Sequence, residues 1–171
     1  MILDRFLVTD QVAIVTASGR GIGAAAALAL AEAGADVVLA ARTEDQLRAV
    51  AKQVEAVGRR AIVVPGDLTD FDLMASLAET AFTELGRLDI VVNNMGGTMP
   101  RPLLDTSPRF LEEAFRFNVS AGHALVRAAR TTSAPASASA TAVAAPMPRP
   151  LAVTMATWSV TRNRSRIIRR M

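Results

Sequence analysis

The chain has 171 residues, 51% of them hydrophobic, with no cysteine, no tyrosine and a formal net charge of +3. That length suits one domain with a real core, and the missing cysteines exclude disulfides and thiolate metal sites. No run reaches the ~18 apolar residues a spanning helix needs, and the N-terminus shows no signal-peptide pattern, so a soluble cytoplasmic protein is expected.

Strand and helix signals alternate from residue 12 to residue 130. Val12–Thr16 is a continuous apolar run, the pattern of a strand buried on both faces. A glycine-rich turn follows, and Ala24–Ala33 reads as a helix closed by Gly34. Asp36–Ala41 is a second strand. Thr43-Glu44-Asp45-Gln46 fits a capping box that opens a helix to Val57, stopped by Gly58. Ala61–Val64 is the third strand, Thr69 is placed to cap a helix over Asp70–Leu85, and Leu88–Val92 is the fourth strand. After a Gly/Pro-rich loop, Ser107-Pro108 supplies an N-cap and an N1 proline for one helix to about Arg130.

This βαβαβαβα order predicts an α/β, Rossmann-type doubly wound parallel sheet with strand order 3-2-1-4 and a ligand crevice between strands 1 and 4. Past residue 130 the composition changes. All 16 acids precede it, whereas residues 131–171 hold six arginines and no Asp, Glu, Gly or Lys. Thr131–Pro150 reads as linker or disorder, 151–160 is compatible with one strand, and Arg162–Arg170 is basic. The expected division is therefore a truncated dinucleotide-binding domain, 1–130, and a disordered or irregular tail, 131–171. Ala, Arg, Pro, Ser and Thr have GC-rich codons, so out-of-frame or scrambled translation past codon 130 would produce such a tail. With strands missing beyond it, strand 4 is expected to be a bare edge, the alternative being that 151–160 pairs with it as a makeshift fifth strand.

Thr16-Ala17-Ser18-Gly19-Arg20-Gly21-Ile22-Gly23 joins a buried strand to a helix N-terminus, the arrangement that cradles a pyrophosphate. Together with Asp67-Leu68 after strand 3, Asn93-Asn94-Met95-Gly96-Gly97 after strand 4 and Phe117-Asn118-Val119 in the last helix, it resembles the first half of a short-chain dehydrogenase/reductase. The likeness covers about residues 10–130. It implies that Thr16, Ser18, Arg20, Gly21, Ile22, Gly23, Arg42, Asp67, Leu68, Asn94 and Gly96 bind a dinucleotide, and that Asn118 is the remnant of an Asn-Ser-Tyr-Lys catalytic tetrad. Two residues depart from the family pattern: Ala17 stands for a glycine, which should weaken binding, and Met95 stands for an alanine, either crowding or filling the crevice floor.

An NAD site wants a carboxylate at the end of strand 2, whereas an NADP site wants arginine for the 2′-phosphate. Strand 2 ends Ala40-Ala41-Arg42 and Arg20 precedes Gly21, so NADP(H) is favoured over NAD(H), against the alternative that both arginines are merely solvated. The resemblance implies hydride exchange with a carbonyl or alcohol. Yet the chain has no tyrosine, and its single lysine, Lys52, lies in the second helix. An inactive chain of oxidoreductase lineage is expected; the alternatives are a non-catalytic NADP(H)-binding pseudoenzyme and a basic-tailed interaction protein. His123 reads as a surface or core histidine, and no metal site is expected. The basic tail has no interleaved aromatics, which argues against specific nucleic-acid or membrane binding. Self-association is expected through the 108–130 helix and the exposed sheet edge.

Overall fold

A computed structural model describes residues 5–132 and the strand Ala152–Met155. The strands β1 (Val12–Thr16), β2 (Asp36–Ala41), β3 (Ala61–Pro65), β4 (Ile90–Asn93) and β5 (Ala152–Met155) are all parallel, in the order β3-β2-β1-β4-β5. The first four strands take the expected order. The edge beyond β4 is not bare, however: β5 pairs with it from Ile90↔Ala152 to Asn93↔Met155. That strand falls within 151–160, the stretch compatible with one strand. The expectations for residues 133–151 and 156–171, including the basic segment, lie outside the described residues.

Helices α1 (Gly21–Glu32) and α2 (Glu44–Ala56) cover one face of the sheet, and α3 (Phe71–Leu85) and α5 (Ala121–Thr132) cover the other. Alternation along each strand divides the side chains between the two cores. Ala13, Val15, Val37 and Leu39 meet Ala27, Ala31, Leu47 and Val54, while Val12, Ile14, Val38 and Val91 meet Met74, Leu77, Ala81 and Leu125. Both faces are buried, which is why the strands read as unbroken apolar runs rather than alternating ones. The buried residues of α1 are Gly23, Ala27 and Ala31, small enough to let that helix lie close to the sheet.

The helix ends differ from expectation at two caps. Thr43 sits at the N-cap of α2 but makes no side-chain capping bond, so the expected capping box does not form. Asp70, not Thr69, caps α3, accepting from the N–H groups of Asp72 and Leu73. Ser107 caps the short helix α4 (Pro108–Phe115) as expected, accepting from the Phe110 N–H at 3.2 Å.

The helix expected over 108–130 forms without a gap as far as Thr132, with one irregularity: between α4 and α5 (Ala121–Thr132) lies a π-helical turn, Arg116–Ser120. Within it Asn118 Nδ2 donates to the Ala114 carbonyl at 2.8 Å.

At the opposite end of the sheet from the glycine turn, Asp36 at the start of β2 is 7% exposed and receives the Arg60 N–H at 2.9 Å and the Arg60 Nε at 2.9 Å. Arg59 Nε lies 3.0 Å from the same carboxylate. Burial pushes this carboxyl up, but the N–H and guanidinium of Arg60 and the charge of Arg59 outweigh it and hold it below its ordinary value.

Candidate dinucleotide-binding site

The glycine turn and the segments after β2, β3 and β4 meet at the C-terminal ends of the strands, where open parallel sheets bind ligands. They enclose a cleft of about 540 Å³ lined by Ala17, Gly19, Arg20, Arg42, Asp67, Leu68, Gly96 and others. Beneath it, between the turns after β1 and β4, lies a buried polar joint. Thr16, fully buried, accepts through Oγ1 from the N–H groups of Asn94 at 3.0 Å and Met95 at 3.2 Å, and donates to Asn93 Oδ1 at 3.0 Å. Asn94 Nδ2 in turn reaches the Ala17 carbonyl at 3.4 Å. One hydroxyl and one amide thus fix the turn after β1 to the turn after β4.

Within the glycine turn, each position has a different constraint. A Cβ on Gly23 would sit 2.3 Å from the Ala17 carbonyl oxygen and 2.7 Å from Asn94 Nδ2, so the helix can approach the strand end only with glycine there. Gly21 takes φ +58, with open space where a Cβ would project. No side chain caps α1. Its first N–H groups and positive dipole end are therefore available to an anion, and this is where the residues fit a pyrophosphate.

Ala17 also lies in the left-handed region, at φ 52. The departure from glycine therefore places a methyl in the cleft wall and also strains the backbone. Met95 is 2% exposed and belongs to the core beneath the cleft as well as to its lining. It fills the floor.

Opposite the glycine turn, Asp67 Oδ1 accepts from the Thr69 N–H at 3.0 Å. Hydrogen bonds from the Thr69 N–H and side chain, ahead of the charge on Arg42, hold the Asp67 carboxyl below the usual carboxylate range. Leu68, 5% exposed, anchors the loop in the core. Asn118 acts on the next wall: its Oδ1 accepts from the Gly97 N–H at 2.7 Å and its Nδ2 donates to the Gly97 carbonyl at 3.0 Å. A Cβ on Gly96 would come within 3.2 Å of that same Oδ1.

Of the residues expected to bind cofactor, the cleft brings together Arg20, Arg42, Asp67, Leu68 and Gly96. Thr16 and Ser18 are not among the residues that line it. Both are fully buried, and Ser18 gives its N–H to the Ala40 carbonyl at 3.2 Å. Gly21, Ile22, Gly23 and Asn94 shape the turn and helix start beside the cleft, with Ile22 56% exposed. The cleft also takes in Thr43, Gln46, Thr69 and Phe117, which sequence reading missed. Thr43, Thr69 and Phe117 each neighbour a residue already singled out, Arg42, Leu68 or Asn118, and Gln46 lies four residues after Arg42. Among the described residues no cluster of His, Asp and Glu is arranged to hold a metal, and no helix is long and apolar enough to cross a membrane.

A family model described as short chain dehydrogenase matches residues 11–143. The chain belongs to the short-chain dehydrogenase family. An uncharacterized oxidoreductase of Mycobacterium tuberculosis is 56% identical over 129 residues, which is 75% of this chain and 49% of that protein. A metagenomic short-chain oxidoreductase solved with NADP is 38% identical with a TM-score of 0.67, covering 73% of this chain and 57% of that one. Carveol dehydrogenase of Mycobacterium avium, solved with NAD, is 27% identical with a TM-score of 0.69 over 74% of this chain and 50% of that one. The chain spans about half the length of the family members it matches.

Proposed function

We propose that this short-chain dehydrogenase chain binds a dinucleotide, prefers NADP(H) to NAD(H), and does not itself reduce a carbonyl. The observation that carries the preference is the pair of arginines, Arg20 and Arg42, lining one cleft. β2 ends Ala40-Ala41 with no carboxylate to receive a ribose 2′-hydroxyl. Glu44, the first residue of α2, is held by Arg48 Nε at 2.9 Å, so its charge is compensated on the helix. Two guanidinium groups beside an uncapped helix start favour the extra phosphate of NADP(H). The bound nicotinamide would supply hydride chemistry. This chain's own part is to hold the pyrophosphate on the glycine turn, the adenine side against Leu68 and the 2′-phosphate between the arginines.

Inactivity rests on sequence. With no tyrosine in the chain and Lys52 on α2, no side chain among the described residues is placed to exchange the substrate proton as the family's tetrad does. Asn118 is engaged on both amide atoms by backbone groups. We further propose the division into a binding unit, 1–130, and an aberrant tail, 131–171. Reading the gene downstream of codon 130 in the other two frames checks it, since a serine followed by Tyr-x-x-x-Lys is expected in one of them.

Fluorescence titration with NADPH and NADH tests the cofactor reading. NADPH is expected to bind at least tenfold tighter, and Arg42→Ala to remove most of that ratio by weakening NADPH alone. Equal affinity for the two cofactors, or turnover of a carbonyl substrate, overturns it.

A second reading, self-association, has its own observation. Leu111, Phe115 and Val119 recur every four residues along α4 and the π turn and are 52%, 66% and 45% exposed. That spacing makes one apolar stripe.

A further inference from the structure

We propose that Arg116 is a positioning residue for the adenine end of the cofactor, setting the height of the loop after β3 across the cleft; this rests on the dinucleotide reading above. The guanidinium of Arg116 stacks 4.1 Å from the centroid of the Phe71 ring, and its Nη2 donates to the Thr69 carbonyl at 3.4 Å. Thr69 lines the cleft beside Asp67 and Leu68, and Phe71 is the first residue of α3. Arg116 thus grips the loop at the point where it turns into its helix.

The π turn makes this grip part of a larger arrangement. Three consecutive residues serve three directions: Arg116 holds the loop after β3, Phe117 lines the cleft, and Asn118 holds Gly97 in the loop after β4. Two walls of the cleft are therefore tied to one turn of helix, and moving that turn moves both. The loop's own fold does not depend on Arg116. Leu68 is already seated in the core and Asp67 closes its own turn on Thr69. An exposed cation–π contact adds little to global stability, yet it selects among loop positions that differ little in energy. The sequence offers no hint of this role, because Arg116 sits in a helix and its partners, Thr69 and Phe71, lie 47 and 45 residues earlier.

The test compares the wild type with Arg116→Ala and Arg116→Lys, using NADPH by fluorescence and adenosine 2′,5′-bisphosphate by calorimetry. Arg116→Ala is expected to weaken both probes by the same factor, about three- to tenfold, while the unliganded protein melts within about 3 °C of wild type. Arg116→Lys keeps a cation over Phe71 and is expected to recover part of the loss. Unchanged affinity for adenosine 2′,5′-bisphosphate overturns the proposal. So does an affinity loss that lysine fails to reduce, or one that accompanies a fall in melting temperature beyond that range. A wild-type protein that binds neither probe refutes the dinucleotide reading itself, and this inference with it.

Discussion

Ala17 is a non-glycine residue held at φ 52 in the turn that should embrace a pyrophosphate. For an L-residue with a Cβ, the left-handed conformation costs about 1–2 kcal/mol. Replacing it by glycine relieves that strain but returns about 0.4–1 kcal/mol of chain entropy to the unfolded state. The difference lies between about 0 and 1.6 kcal/mol, and its midpoint predicts that Ala17→Gly stabilises the protein by about 0.8 kcal/mol, a rise of roughly 2–3 °C in melting temperature for a chain of this size. Urea denaturation and calorimetry read this directly. The same change removes a methyl from the cleft wall, so NADPH should also bind tighter. Ala27, fully buried in α1, is the control: Ala27→Gly should destabilise by about 1–2 kcal/mol, because there glycine adds helix entropy cost and leaves a void. If Ala17→Gly melts at or below the wild type, the left-handed strain does not exist and the argument fails.

Thr16→Val should cost about 2–4 kcal/mol, since it strips the partner from two backbone N–H groups and from Asn93 in a buried site, while Thr16→Ser should retain most of the stability; chemical denaturation separates them. Asp36 supplies a pH signature. Its folded value lies below the ordinary 3.8, so its stabilising contribution is full above about pH 5 and disappears as pH falls through the folded value. The stability gap between wild type and Asp36→Asn, measured by urea unfolding, should be flat from pH 5 to 8 and shrink below about pH 4; a gap that widens in acid contradicts the assignment. Phe115→Glu places a charge on the apolar stripe of α4 and should shift sedimentation toward the monomer without lowering the melting temperature by more than about 2 °C, given that Phe115 is 66% exposed.

The fold of residues 12–130 was legible because each strand reads as an unbroken apolar run and each connection carries a glycine, a capping residue or a proline. What stayed hidden left no mark in the pattern of apolar residues. The π turn between α4 and α5 lies inside one continuous helix, and the sequence gives no sign of it. Thr43 looks like a cap, but its hydroxyl makes no capping bond, and Asp70 takes over from Thr69 one residue on. The hydrogen bonds of Thr16 to Asn93 and of Ser18 to the Ala40 carbonyl, which tie the glycine turn to β4 and β2, are visible only in three dimensions. The fifth strand was ambiguous for a different reason. Short apolar stretches amid Ala, Ser and Pro carry too little pattern to fix a pairing partner.

The joint at Thr16 also bears on how binding energy would be distributed. The floor of the cleft is already fixed by buried hydrogen bonds, so a pyrophosphate arriving there orders little that was loose. The rim is different: Arg20 and Arg42 are exposed, and immobilising each long side chain costs about 0.5–1.5 kcal/mol. On the proposed preference, discrimination between the two cofactors would be made at this exposed rim and opposed by entropy there. It should weaken with added salt, while the shared affinity for the pyrophosphate, held by fixed dipoles, should persist.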